Sequence, residues 1–212
     1  MNDRQYLQSL VRQGEHQQQD FKYKVQDARK LARSVSAFAN TDGGRLLIGV
    51  RDDGHFSGVR SDEEIYMMHQ AAMRYCRPEA SIKFDTYHVE GRTIVVCTVP
   101  PSDRKPVCAL DDDDRPRAYI RIDDENIVAS PVHLAVWRQE QAPRGQLMTY
   151  SAQEQALMDA LGQQPGQTLN QLTRRSGLPR HKLIPMLARF IRYNLASMEF
   201  TDHRFLFSQY TP

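Results

Sequence analysis

The residues of this 212-residue chain that could do chemistry fall into one carboxylate run and a few basic clusters. Asp111-Asp112-Asp113-Asp114 is the densest set of hard oxygen ligands. A calcium-binding EF-hand loop interleaves its ligands and closes on a distal Glu. The run has neither feature and reads as a solvated hairpin tip. Lys22, Lys24, Arg29, Lys30 and Arg33 form the densest basic stretch. Lys22 and Lys24 alternate with apolar residues, so on a strand they share a face that can meet phosphates. Arg29 and Lys30 suit a solvated face equally well. Arg121 alternates with Ile120 and Ile122 and points away from them, either to a phosphate or to an internal acid. Further on, Arg180, His181 and Lys182 stand together, and Arg204 follows a turn. Gly43-Gly44 makes a turn that either lets backbone approach a phosphate or only joins two elements. No G-x-x-x-x-G-K-[ST] loop is present, so nucleotide binding by a P-loop is not expected. His16, His55 and His69 lack ligand spacing, and Cys76, Cys97 and Cys108 fit neither a disulfide framework nor a zinc knuckle.

Periodicity places these groups on elements. A helix is expected over 3–13, a strand over 19–25, a helix from Asp27 to Asn40 and a buried strand from Arg45 to Val50. Ser61-Asp62-Glu63-Glu64 reads as a capping box opening a helix to about Cys76. Ile82–Val89 and Thr93–Val99 flank a Glu90-Gly91 turn as a hairpin. Val107–Leu110 and Arg117–Ile122 flank the acidic run as a second strand pair. Ser130 opens a last helix through Trp137. The order predicts an α+β domain with a mixed sheet flanked by helices. This domain is expected over residues 1–139, a linker over 140–150 and a second unit over 151–212. In the second unit Ser151 and Glu154 form a capping box, Gly177 ends a short helix, and Pro179 opens a third. Two short strands then close the chain. Three helices and a hairpin describe a winged helix-turn-helix, in which the start of the third helix meets nucleic acid. Pro185 is expected to kink that helix.

The run Ser36-Ala37-Phe38-Ala39-Asn40-Thr41-Asp42-Gly43-Gly44-Arg45-Leu46-Leu47-Ile48-Gly49-Val50 resembles the signature of the Schlafen AlbA-type domain family, also described as divergent AAA-4. Gly14-Glu15 with Asp20-Phe21-Lys22, Lys105-Pro106-Val107, and Ala118-Tyr119-Ile120-Arg121-Ile122 with Ala129-Ser130 follow in the family's order. The resemblance spans roughly residues 10–135. Asp123-Asp124 departs from the Gly-Ser that the family often carries after the Arg. In nuclease members three carboxylates hold a divalent metal, and the resemblance places them at Glu15, Asp20 and Asp52. Mg²⁺ or Mn²⁺ would suit such oxygen ligands and could activate water for phosphodiester attack. Asp20 stands where the family usually has Glu and is one methylene shorter.

Bulk properties narrow the function classes. Hydrophobic residues make up 40% and charged residues 25%, as in ordinary globular chains. No apolar run approaches the length of a membrane helix, and residues 1–5 lack a signal-peptide core, so a cytoplasmic protein is expected. The net charge of +2 does not by itself imply nucleic acid. Residues 151–212 carry seven Lys or Arg against four Asp or Glu, which concentrates the positive charge there. The leading expectation is a nucleic-acid-binding protein, transcriptional-regulator-like and homo-oligomeric, with DNA favoured over RNA. Its contacts are expected from Lys22, Lys24, Arg121, Arg180, His181, Lys182 and Arg204. The alternatives are a metal-dependent nuclease using Glu15, Asp20 and Asp52, and a winged-helix oligomerisation module.

Overall fold

The computed structural model describes residues 2–59, 61–141 and 151–211. The chain divides into two compact units, residues 1–128 and 129–212. Most of the expected linker, from residue 142 to 150, lies outside the described residues.

The first unit contains, in chain order, α1 (Asp3–Val11), β1 (Gln19–Lys22), α2 (Ala28–Asn40), β2 (Gly44–Ile48), α3 (Glu63–Met73) and β3 (Cys76–Arg77). It continues with β4 (Lys83–Val89), β5 (Arg92–Val99), β6 (Cys108–Leu110), β7 (Pro116–Ile122) and β8 (Glu125–Val128). The fold is α+β, but its strands form two sheets. One has the order β1-β2-β5-β4, with only β1 and β2 parallel. The other, β3-β6-β7-β8, is antiparallel throughout. The parallel pair exists because α2 carries the chain from one edge back alongside it, as a parallel connection requires.

Strand alternation builds a core on each face of the first sheet. Leu46 and Ile48 of β2 and Val95, Cys97 and Val99 of β5 face the side of α2 and α3. Leu47 of β2 and Ile94 and Val96 of β5 face the other side, where Leu7 and Leu10 of α1 cover them. α2 is amphipathic only in its first turns. From Ser34 to Asn40 every residue is buried. Asp27 caps it by accepting from the Arg29 and Lys30 amides.

The family-like signature acts here. Ser36 Oγ donates to the Val107 carbonyl at 2.7 Å and accepts from the Tyr119 amide at 3.0 Å. Asn40 Nδ2 donates to the carbonyls of Val107 and Tyr119, both at 2.8 Å, and its Oδ1 accepts from the Val107 amide at 2.8 Å. Two buried side chains thus satisfy backbone groups of the second sheet and of the segment leading into β6. Gly43 has φ +70°, and a Cβ there would lie 2.8 Å from Pro101 Cδ and 2.9 Å from the Val99 carbonyl. A Cβ on Gly44 would stand 2.4 Å from the ring of Phe38. The two glycines make room for the chain's own Phe38 and Pro101, which decides for the connector over the phosphate loop.

Several local expectations shift. β1 ends at Lys22, so Lys24 lies beyond the strand. The box at Ser61–Glu64 does not form: α3 begins after Asp62 without a side-chain cap. β8 was not expected. Asp123 adopts φ +53°, and the Asp123-Asp124 turn folds β8 back on β7.

The second unit contains α4 (Pro131–Glu140), α5 (Ala152–Gln163), α6 (Leu169–Ser176), α7 (Arg180–Arg192), β9 (Ala196–Thr201) and β10 (Arg204–Gln209). The helix expected to close the first domain is therefore α4, which packs on α7 instead. Ser130, Ser151 and Thr168 each cap a helix through a reciprocal box. Gly177, at φ +68°, terminates α6. Pro179 is the N-cap of α7 rather than its first residue. α7 runs through Pro185 as one helix. The missing amide deprives only the His181 carbonyl, and both residues are exposed, so water replaces the bond. Leu157, Leu161, Leu172, Leu187, Phe190 and Phe207 centre the core. No helix among the described residues is long and apolar enough to cross a membrane.

Overpacking a closed turn is costly. Gly44→Ala should destabilise the protein by about 1–3 kcal/mol. Urea unfolding would read this, and a midpoint equal to that of the parent would show that Phe38 can move aside.

Candidate functional site

Arg121 is the penultimate residue of β7 and is only 2% exposed. Burying a guanidinium requires partners for its donors and its charge. Its Nη2 donates to the Gln19 carbonyl at 3.2 Å and lies 3.8 Å from Asp20 Oδ1. Its Nη1 donates to Asn126 Oδ1 at 3.0 Å, and Asn126 in turn donates to Ser34 Oγ. The guanidinium also sits 5.2 Å from the Phe38 ring centroid. Asp20, 4% exposed, receives a second cation: Lys22 Nζ lies 2.7 Å from Oδ2, as an ion contact rather than a directed hydrogen bond. Of the two roles left open for Arg121, the internal acid is the one realised. A side chain buried this completely is out of reach of a phosphate.

Glu15 joins the cluster from the loop before β1. Its Oε1 accepts from the Phe21 amide at 2.7 Å. Burial of the carboxyl pushes its pKa up, and a hydrogen bond shared with Asp20 pushes the same way. The Phe21 amide and Lys22 pull it back. His16 beside it is held below the ordinary histidine range, first by burial and then by Arg45 and Arg121.

The structure thus brings together Glu15, Asp20, Lys22 and Arg121, but the third expected carboxylate is not among them. Asp52 is exposed in the turn between Arg51 and His55. Among the described residues, no three His, Cys, Asp or Glu side chains form a group able to hold a metal ion. Asp20 already faces two cations of its own chain, so the residues present do not fit a Mg²⁺ or Mn²⁺ centre. The run Asp111–Asp114 behaves as a capped tip. Asp111 accepts from the Asp113 and Arg115 amides and from Arg117 Nε, which hold its carboxyl below the usual range, the Arg115 amide most strongly.

Lys24 finds a different setting. Its Nζ lies 5.2 Å from the Tyr23 ring centroid, and the Arg51 guanidinium lies 4.9 Å from the same ring. Arg51 was missed because its neighbours Asp52 and Asp53 mask it in the sequence. What brings it to Tyr23 is the parallel pairing of β1 with β2, which ends both strands on the same side.

In the second unit Arg180, His181 and Lys182 occupy the exposed first turn of α7, and Arg204 is exposed just past the hairpin turn at Asp202-His203. Arg180 donates to Asn170 Oδ1 at 3.2 Å. Arg189, further along α7, pairs with the buried Glu154. The Ser151 amide, the Ser151 hydroxyl and Arg189 together hold the Glu154 carboxyl below its ordinary range.

A family model described as Schlafen, AlbA_2 matches residues 15–130. The chain belongs to the Schlafen AlbA_2 family. Two solved structures resemble this AlbA_2 chain. The DIP2311 protein of Corynebacterium diphtheriae aligns with 90% of it at 19% identity and TM-score 0.48, and the chain spans 34% of that protein. The N-terminal domain of a putative ATP-dependent DNA helicase RecG-related protein from Nitrosomonas europaea aligns with 71% of it at 21% identity and TM-score 0.42, over 97% of that domain. No curated protein matches the sequence.

Two expectations follow. Removing one partner of a buried ion pair strands the other charge, so Arg121→Met should cost about 3–5 kcal/mol in urea unfolding. A loss below about 1 kcal/mol, on the order of a surface pair, would show that Asp20 and Glu15 do not depend on it. In the second unit, burial among Trp137 and Phe205 lowers the His133 pKa to about 4. The unfolded chain protonates first, so stability present at neutral pH is lost as pH falls from about 6.5 towards 4. His133→Phe should flatten that acid limb in a thermal-unfolding series, and an unchanged limb would assign it to other groups.

Proposed function

We propose that the chain is a nucleic-acid-binding protein, transcriptional-regulator-like, whose C-terminal unit is a winged helix-turn-helix that contacts duplex DNA. The observation that carries this reading is the state of the cations in residues 151–212. Of the seven Lys and Arg, only Arg189 has a carboxylate partner among the described residues. Arg174, Arg180, Lys182 and Arg204 are exposed and unneutralised. They lie where such a fold presents the end of its second helix, the start of its third helix and its wing. His181 adds a donor on the same exposed turn. Cations left without internal carboxylate partners are available to displace counterions from phosphates. Lys24 and Arg51 around Tyr23 offer the first unit a smaller surface of the same kind. The hydrolytic alternative rests on Glu15, Asp20 and Asp52 holding a divalent ion, and it is weaker because only two of the three meet.

The test is duplex DNA affinity measured at several salt concentrations. The parent should lose affinity steeply with salt. Arg180→Gln with Lys182→Gln should weaken binding and reduce the log–log slope by about 0.9 for each phosphate no longer neutralised. A slope of zero for the parent, or one that the double variant leaves intact, would remove α7 from the interface.

A further inference from the structure

α3 presents an exposed aromatic ring away from the surfaces described so far. Tyr66 is 61% exposed although it is a large aromatic side chain. Gln70 follows one turn later and Arg74 one turn after that, so ring, amide and guanidinium form a stripe on one face. The stripe borders a cleft of about 350 Å³, closed on its other side by Asp27 and Arg29 at the start of α2. At its end lies Tyr75, whose ring has Arg29 4.7 Å away and Arg74 5.8 Å away.

The charges of this cleft are unequally engaged. Asp27 is occupied in capping α2 through the Arg29 and Lys30 amides. Arg29 pairs with Asp114 at 2.8 Å and donates to the Asp111 carbonyl, so its role is to hold Tyr75. Arg74 has no carboxylate partner among the described residues, and it is exposed. An exposed ring, an amide with both donor and acceptor, and a guanidinium without a carboxylate partner among the described residues meet in one open cleft. That set matches the three parts of an unpaired nucleotide: a π-face to stack, a base edge to hydrogen-bond and a phosphate to neutralise.

We propose that the α2–α3 cleft of the first unit holds an unpaired nucleotide of a single-stranded nucleic acid, with its base stacked on Tyr66, its edge on Gln70 and its phosphate on Arg74. The assignment rests on the nucleic-acid reading above and adds to it a single-strand site apart from the duplex surface of the second unit. Stacking on an aromatic ring tolerates every base, so the site is selective for strandedness rather than for sequence.

The experiment is fluorescence anisotropy of the full chain with labelled oligo(dA) and oligo(dT), and with a labelled duplex, at low and moderate salt. Tyr66→Ala should weaken single-strand binding about tenfold, the loss expected for one stacked base. Tyr66→Phe and Tyr66→Trp should restore it. Arg74→Gln should weaken single-strand binding and lower its salt slope. Duplex affinity should be unchanged in all of these variants, and Tyr66 is exposed enough that folding should not be at issue. Single-strand affinity unchanged in Tyr66→Ala and Arg74→Gln overturns the proposal while leaving duplex binding standing, as does a loss of single-strand affinity that Phe and Trp fail to restore. Parent protein that binds neither duplex nor single strand overturns both readings.

Discussion

A guanidinium taken out of water must have its charge compensated, and removing its partner destabilises the fold around it. Arg121 imposes that demand on the first unit. It reaches the Gln19 carbonyl and Asp20 on the edge strand of one sheet from the middle strand of the other. Asn126 on β8, itself bonded to Ser34 on α2, takes a further donor, Phe38 lies against the guanidinium, and Nε is left without a hydrogen-bond partner. The same guanidinium therefore ties both sheets and α2 to one point. Glu15 and Lys22 collect at that point because Asp20 is held there. The cluster is thus a structural hub before it is anything else, whatever further chemistry its carboxylates support.

The signature from Ser36 to Val50 serves the same end by other means. Its buried polar members, Ser36 and Asn40, are taken up by the backbone at Val107 and Tyr119. Its glycines admit the close approach of Phe38 and Pro101. A buried asparagine that satisfies one donor and two acceptors admits no simple replacement, since any other side chain would leave at least one backbone group unpaired. That gives a physical reason for such a run to mark a fold without marking a reaction.

Most elements carried by local rules were legible in the sequence, the Ser61–Glu64 box being the exception. The start of α2 near Asp27, the box at Ser151, the Glu90-Gly91 hairpin and the Gly177 stop all depend on residues a few positions apart. Long-range choices were not legible. Alternation showed that Arg121 faces away from Ile120, but not that the opposite face is sealed by β1. The seven expected residues of the first strand shrank to four because pairing with β2 stops at Ile48. The split into two sheets, and the assignment of α4 to the second unit, depend on which apolar face meets which, and composition is silent on that. The C-terminal basic residues stood out as a cluster, yet only the structure separates Arg189, which Glu154 neutralises, from the others.

That separation bears on how the two units divide the work. In the first unit a set of carboxylates and cations answer one another: Asp20 with Lys22 and Arg121, Asp111 with Arg117, Asp114 with Arg29. A cation already paired inside its own chain gains little from a phosphate, because it must give up one anion to take another. In the second unit most cations have no such partner, so each phosphate contact is favourable, offset only by desolvation and side-chain ordering. Under the proposed function, the first unit would draw on cations outside these pairs, among them Lys24 and Arg51 beside Tyr23 and Arg74 beside Tyr75, each set against an aromatic ring. An electrostatic surface in one unit and aromatic surfaces in the other differ in salt dependence, and that difference lets their contributions be measured separately in the intact chain.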